Sequence, residues 1–491
     1  MSMSLWHTDG LETPMMLAKP APCVRAFLDA VDEAMRQDHP SHGMSVMQRT
    51  WLALCVTAVL VTNSLCWARF ERASLGTSAL AALSWLLRPR QMPWDALLVA
   101  SVRVILRHHG IPSGSVVVDD TDTPRAKAAT KLAHLSKRRD KESGGSLWGP
   151  SLVLLFLVPP HISMPVGCVF SPPDPALRAW YHREKTLKKP QAPQAQRPPT
   201  PAPNPQYPTQ QPRARRLLEA FKTHHPAMRG HCSTAEALSG TAPLVAAASA
   251  LCGGVQVLSH IRRHHNRRIG PRDQHVADSV ATHPGLPQRL RIRGGAEVVA
   301  MVSRARFSVC AHTTTRVVVA MKYANAETSR SLLASDRSWR TLALVQGQTL
   351  RWVVEVFLAD GKAHEGWSQL TNQPGAEGAR HRVILSLLVE HRLFVHPDHH
   401  PQRTNNLPAY TVGSRRAHVH VGCLVDVIED RVSSEEPREQ LKRLTQAVHE
   451  VCAFRRCKKH MIQRQLGRLE PTPSLKYRAH EVMRNMPVMS T

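Results

Sequence analysis

The fold class this sequence predicts is α/β: a mixed sheet flanked by helices, with an antiparallel β insertion before its last helix and a helical N-terminal domain. Three observations predict it. From Met47 to His109 apolar residues recur at helical spacing, as in Trp51, Leu54, Cys55, Ala58, Val61 and Leu65. From Gly114 the texture changes to short β-branched and apolar runs separated by turn residues. A third region, Leu290 to Tyr323, reads as strand after strand and is followed by a helical stretch beginning at Arg351.

The N-terminal segment 1–46 has weak periodicity and is expected to be poorly ordered. Residues 47–110 form the helical domain, a candidate DNA-binding or dimerisation unit, with Leu80 to Leu87 and Ala96 to Leu106 as its later helices and Pro89 and Pro93 between them. The apolar stretch Trp51 to Ala68 is interrupted by Thr57, Thr62, Asn63 and Ser64, so a buried helix is expected rather than a membrane span.

Residues 111–262 open the sheet. Gly114 to Val118 runs into Asp119, Asp120 and Asp122; Ser151 to Val158 and Pro165 to Phe170 are two further strands. A Pro- and Gln-rich connector covers 186–213, Arg215 to His224 is a basic helix, and His231 to Ala235 is a polar strand. A small-residue helix to Cys252 and a strand from Val255 to Ile261 complete this part. The basic run from Arg262 to Arg268 and the strands to Tyr323 form the insertion, 263–328. The last core part, 329–395, holds a strand at Arg330 to Ser335, the Arg351 helix and an amphipathic helix from Val383 to Phe394. Residues 396–491 read as a basic helical tail, with a long helix from Glu435 to about Leu466.

Charge narrows the partners. Lys and Arg total 64 against 37 acidic residues, a formal net charge of +27, with 28 His in addition. Such a field favours a polyanion, most simply double-stranded DNA. Contacts are expected from Lys137, Arg138 and Arg139 and from Arg262, Arg263, Arg267 and Arg268, where basic side chains cluster. The ten Cys show no paired spacing and read as reduced thiols in a cytoplasmic, nucleoid-associated protein. His449, Cys452, Cys457 and His460 have zinc-ligand chemistry without the spacing of strong zinc motifs, so helix packing is expected instead.

The acids carry the chemistry. On a helix, Arg351, Glu355 and Lys362 fall on one face, a carboxylate between two cations, which suits a metal ion beside a phosphate. Nucleic-acid strand cleavage uses two divalent ions about 3.5–4 Å apart, held by carboxylates from separate elements. Asp120 at the end of the first strand, Glu236 after a central strand and Glu355 on the helix are positioned for that role, with the insertion filling the interval between the last two. Asp119 and Asp120 point to opposite sheet faces; Asp120 is taken as the ligand, and Asp122 replaces it if the strand ends later. Asp278 is a more remote substitute for Glu236.

These residues resemble the DDE transposases of the insertion-sequence-four group, which have an RNase H-like catalytic core. The family's tyrosine–arginine–glutamate–lysine signature maps onto Gln348, Arg351, Glu355 and Lys362, with glutamine in place of the tyrosine. Val116 to Thr121 resembles the first-aspartate strand, and Ala235-Glu236-Ala237-Leu238-Ser239-Gly240 resembles the second-aspartate turn, with Glu at the aspartate position. Glu365-Gly366-Trp367 and Gln373-Pro374-Gly375 extend the match. The resemblance implies a homodimer on terminal inverted repeats. It also implies Mg²⁺ (Mn²⁺ as substitute) at Asp120, Glu236 and Glu355, with phosphate contacts from Arg351 and Lys362. Glu236 adds a methylene, a displacement of roughly 1 Å that can cost on the order of 100-fold in rate. A chain that has lost catalysis and only binds DNA is the second expectation, and a metal-dependent hydrolase without strand transfer the third.

Overall fold

The computed structural model describes residues 20–74, 92–123, 132–139, 145–160, 162–188, 198–235, 241–261, 266–269, 272–275, 283, 285–291, 297–312, 314–324, 326, 329–367, 375–396 and 412–452. Four helices come first. α1 (Pro22–Asp38) begins with proline, whose missing N–H is harmless in a first turn, and buries Val24, Phe27, Leu28, Val31 and Met35 along one face. Within the expected poorly ordered segment 1–46, residues 22–38 are thus helical, the helical spacing being present but diluted by charged neighbours, and residues 1–19 lie outside the described residues. α2 (Val46–Thr62) starts from a capping box between Ser45 and Gln48 and stops at Asn63, which adopts a left-handed conformation. α3 (Trp67–Ala73) and α4 (Trp94–His108) complete the group. The expected helix at Leu80 to Leu87 lies outside the described residues. Among the described residues no helix is long and apolar enough to cross a membrane.

The strands are β1 (Ser113–Asp122), β2 (Ser136–Arg139), β3 (Ser146–Gly149), β4 (Ser151–Val158), β5 (Met164–Phe170), β6 (Arg229–Ala235) and β7 (Gln256–His260). They continue with β8 (Asn266–Ile269), β9 (Arg272–His275), β10 (Leu286–Arg291), β11 (Glu297–Val309), β12 (Thr314–Tyr323) and β13 (Arg330–Ala334). One sheet runs β5-β4-β1-β6-β7-β13-β12-β11-β8-β9, with β10 paired to β11. The meander β1-β4-β5 is antiparallel, β6 and β7 join β1 in parallel, and everything from β13 outward is antiparallel. β2 and β3 make a separate hairpin. β11 is a single long strand along which Arg304, Arg306 and Ser308 alternate outward. Arg267 and Arg268 of the basic run lie in strand β8.

The remaining helices are α5 (Pro175–Lys188), α6 (Gln210–His224), α7 (Ala242–Leu251), α8 (Thr341–Thr349), α9 (Arg351–His364), α10 (Ala376–Phe394), α11 (Val412–Val432) and α12 (Pro437–Cys452). The ends of the 186–213 connector are therefore helical. Two cores sandwich the inner sheet. One face offers Val117, Leu154 and Phe156 to a continuous core shared with α1, α2, α4, α9, α10 and α11. The other offers Val116, Val118, Val153, Leu155 and Leu157 to α6 and α7. The outer strands have their own core with Leu344 and Val345 of α8. The described N-terminal helices, and α11 from the expected basic tail, share the sheet's core. And α10 is buried on nearly all sides. Its polar residues find partners inside: the His391 ring bonds Ser101 Oγ and the Pro165 carbonyl (both 2.8 Å), His381 stacks on Trp94, and Arg382 lies over Trp67.

Candidate active site

β1 and α9 build the site. β1 is buried along most of its length, and its alternation sends Val117, Asp119 and Thr121 to one face and Val118, Asp120 and Asp122 to the other. α9 packs on the Asp119 face through Val354 and Phe357. The Phe357 ring meets Phe156 of β4 edge-on, with centroids 4.9 Å apart, and Trp367 at 5.3 Å. Gly361 permits that stack, because a Cβ there would sit 2.8 Å from the Trp367 ring. The end of α9 is tied to the turn after α2, where Asn63 Nδ2 donates to the Ala363 carbonyl at 2.7 Å.

This packing sets the first turns of α9 over the end of β1. Arg351 Nη1 donates to Asp119 Oδ2, 232 residues away, at 3.1 Å and Nη2 to Glu355 Oε1 at 2.9 Å, so one guanidinium joins carboxylates from two distant elements. Asp119 is almost fully buried, whereas the Glu355 side chain is 40% exposed and faces solvent. Lys362 is exposed two turns further along the helix. The Arg351–Glu355–Lys362 spacing therefore lies on a real helix, and the helix stops before Glu365-Gly366-Trp367.

The structure brings Asp119, not Asp120, to Glu355. Asp120 Oδ2 accepts from Gln210 Nε2 at the start of α6 (3.1 Å), and Asp122 faces Arg138 at 3.5 Å. Asp120, the acid expected from the sequence to hold metal with Glu355, lies on the face of the strand opposite α9. Glu236, Arg262, Arg263 and Asp278 lie outside the described residues. Lys137 is exposed on β2; Arg138 is half-buried, its Nη2 donating to the Ser171 carbonyl at 2.7 Å; Arg139 follows on the same strand. Arg267 and Arg268 pair with Val309 and Ser308, six strands from β1, or about 29 Å at normal strand spacing.

Two buried polar groups lie on the Asp119 side of the sheet, and sequence reasoning passed over the second of them, Thr234. Gln348 is buried on α8 with neither amide atom hydrogen-bonded, and Thr234 Oγ1 on β6 is likewise buried without a partner. Gln348 was expected as a DNA contact; its burial makes it a group on the inner side of α8. The site's chemistry is oxygen-rich: Asp119 and Glu355 offer carboxylates, the donor class that suits Mg²⁺ and Mn²⁺. Among the described residues no cluster of three metal-ligating side chains occurs. Behind the site, burial and the neighbouring Glu390 carboxyl push the Glu365 carboxyl well above the usual carboxylate range.

No family model and no curated protein sequence matches the chain. Among solved structures the chain is similar to piggyBac transposase in a synaptic complex with hairpin DNA, with a TM-score of 0.42 and 10% identity, over 93% of this chain and 91% of that one. A likeness of this size carries no argument about chemistry, which rests on the residues themselves.

Proposed function

We propose that the chain is a DNA transposase of the DDE type, of the insertion-sequence-four group that its signature residues resemble. It binds the terminal inverted repeats of its element as a homodimer and catalyses Mg²⁺-dependent strand cleavage and strand transfer. The observation that carries this reading is the Arg351 bridge between Asp119 and Glu355. It unites an acid at the end of the first strand with the signature helix, and the strand order β5-β4-β1-β6-β7 supports an RNase H-like core around them.

In this reading Asp119, Glu236 and Glu355 hold the metal, and the oxygen-only donor set of the two described ligands fits it. When bound, Mg²⁺ supplies activation of water or a 3′-hydroxyl and stabilises the leaving 3′-oxygen. Arg351 keeps two like charges side by side and presents its remaining donors toward a phosphate. Lys362, exposed on the same helix face, adds a cationic contact further along the DNA. Buried Asp119 fixes its carboxylate through β1, while exposed Glu355 is the group the substrate reaches first.

The test is Mg²⁺- or Mn²⁺-dependent cleavage of DNA carrying the gene's flanking ends, with Glu355→Ala as the blank and Glu236→Asp alongside. Cleavage by the native chain, absent in the blank, supports the transposase. Cleavage by Glu236→Asp alone assigns the native chain's silence to one methylene. Binding without cleavage by either leaves the second reading, a DNA-binding relic, which the glutamate at position 236 favours.

A further inference from the structure

α5 leaves the sheet at the end where β1 presents its acids. Asp122 pairs with Ser151 and Leu152 with Phe170, and the Ser171 N–H donates to the Ser151 carbonyl at 2.8 Å, so β5 delivers the chain beside the end of β1. α5 begins four residues later, within about 14 Å of extended chain. Arg138 of the β2–β3 hairpin is fastened to the same root, its Nη2 bonding the Ser171 carbonyl while its Nε faces Asp122. Further along, Trp180 Nε1 donates to the Pro198 carbonyl at 2.8 Å, and that connector leads to Gln210, the partner of Asp120. α5 is thus anchored between the end of β5 and the connector into α6.

The two sides of α5 differ in kind. Its inner stripe, Leu177, Trp180, Glu184 and Leu187, recurs every three or four residues and is half-buried. The neighbouring stripe, Arg178, Tyr181, His182 and Lys185, follows the same period and is exposed throughout, with Tyr181 57% exposed. The helix's one acid, Glu184, lies on the inner stripe, and Arg178 and Lys185 form no ion pair among the described residues. A solvated helix face ordinarily interleaves acids with bases four residues apart, and this one does not. Seven residues set the two cations about 10 Å apart along the axis, which is about three steps of 3.4 Å along one DNA strand. We propose that this stripe of α5 grips the phosphate backbone of duplex DNA running past the end of β1. Arg178 and Lys185 supply charge, and Tyr181 and His182 supply O–H and N–H donors to phosphate oxygens. The stripe carries no aliphatic side chain to enter a bilayer.

The proposal deepens the transposase reading by giving the DNA a second hold, and its test needs binding alone. The full chain is titrated without metal onto a labelled duplex of about 30 base pairs carrying the gene's flanking end, from about 50 to about 200 mM KCl. Arg178→Gln with Lys185→Gln is expected to reduce the slope of log affinity against log salt by about 2 and to weaken binding about tenfold at the lower salt. The thermal transition should stay in place, because both side chains are exposed. Arg25→Gln with Arg330→Gln removes the same charge from exposed positions on α1 and β13 and should move the slope by less than about 0.5. A slope unmoved by the α5 pair, an equal loss in the second pair, or a loss confined to single-stranded DNA of the same sequence would each overturn the proposal. The last result would give the stripe to unpaired bases stacked on Tyr181. A native chain without affinity for the duplex ends both this proposal and the transposase reading, whereas binding without cleavage leaves this one intact.

Discussion

The two faces of β1 put neighbouring acids to opposite uses. On one face Asp119 is buried beneath α9 and shares a guanidinium with Glu355. On the other, Asp120 is held by a neutral amide from α6 and Asp122 by Arg138 of the hairpin. One residue of register separates them, and the strand's alternation turns that step into a change of partner, core and chemistry. What decides an acid's role here is which helix covers its face, not which residue follows it in the chain.

The largest effect expected from this difference is catalytic. Asp119→Asn and Glu355→Gln should each reduce metal-dependent cleavage of end DNA on the order of a thousandfold, because each removes a charged ligand. Asp120→Asn should lower it less than about tenfold, since it removes a carboxylate that faces Gln210. Equal losses at positions 119 and 120 would break the comparison and place the reacting centre across the strand's end.

Stability should separate the faces next. Arg351→Ala strands buried Asp119 beside Glu355 and is expected to cost about 3 kcal/mol in urea unfolding. Arg138→Ala, whose ion pair with Asp122 is longer and more exposed, should cost about 1 kcal/mol. Arg351→Lys should recover only part of the loss, because one ammonium cannot reproduce the fork between two carboxylates.

How much of this was legible in the sequence follows the same physics. Strands such as β4, with seven consecutive buried apolar residues after Ser151, announce themselves, and the Arg351–Glu355–Lys362 spacing falls on a helix as expected. Which face of β1 α9 covers was not legible, since alternation separates Asp119 from Asp120 but cannot say where a helix more than two hundred residues away will dock. α10 misled for a different reason: Arg382, Glu390, His391 and Arg392 read as a polar stripe, yet the fold buries them. α1 was visible in principle, through Val24, Phe27, Leu28, Val31 and Met35, and was passed over among charges. α11 was missed because its outward face is apolar and its inward face carries Arg415 and Arg431, which inverts the usual amphipathic signal.

The helical layer on the Asp119 side also holds a titrating group that the sequence hides. Burial pushes the His391 imidazole down to about 4. The unfolded chain then takes up a proton that the folded one refuses. Stability is full above the ordinary histidine range and is lost as the pH falls from there toward about 4. From about pH 7.5 to about pH 5 the His391 contribution should fall by about 2 kcal/mol. The raised carboxyl groups of Glu365 and Glu390 act in the opposite sense, losing stability as pH rises through their elevated range. The measurement is therefore the difference between native and His391→Gln unfolding curves at the two pH values. A difference independent of pH would mean that His391 titrates alike in the folded and unfolded chain, and a difference that grows toward pH 5 would mean that it is protonated in the fold; either outcome sinks this reading.

The smallest effects test how tightly α9 is held over its face of the sheet, using two helical glycines. At Gly361 an added Cβ meets the Trp367 ring at 2.8 Å, and that ring is packed against Phe357, so it cannot swing aside freely. Gly361→Ala is expected to cost about 1–2 kcal/mol despite alanine's better helix propensity. By tilting α9 it should also lower cleavage severalfold, since Glu355 travels with the helix. Gly422, on the open side of α11, has nothing within 4 Å of its added Cβ. Gly422→Ala should stabilise the chain by about 0.5–1 kcal/mol, the ordinary gain from removing backbone freedom in a helix. If both alanines stabilise, Trp367 is not wedged against α9, and the position of Glu355 over Asp119 must depend on Val354 and Phe357 alone.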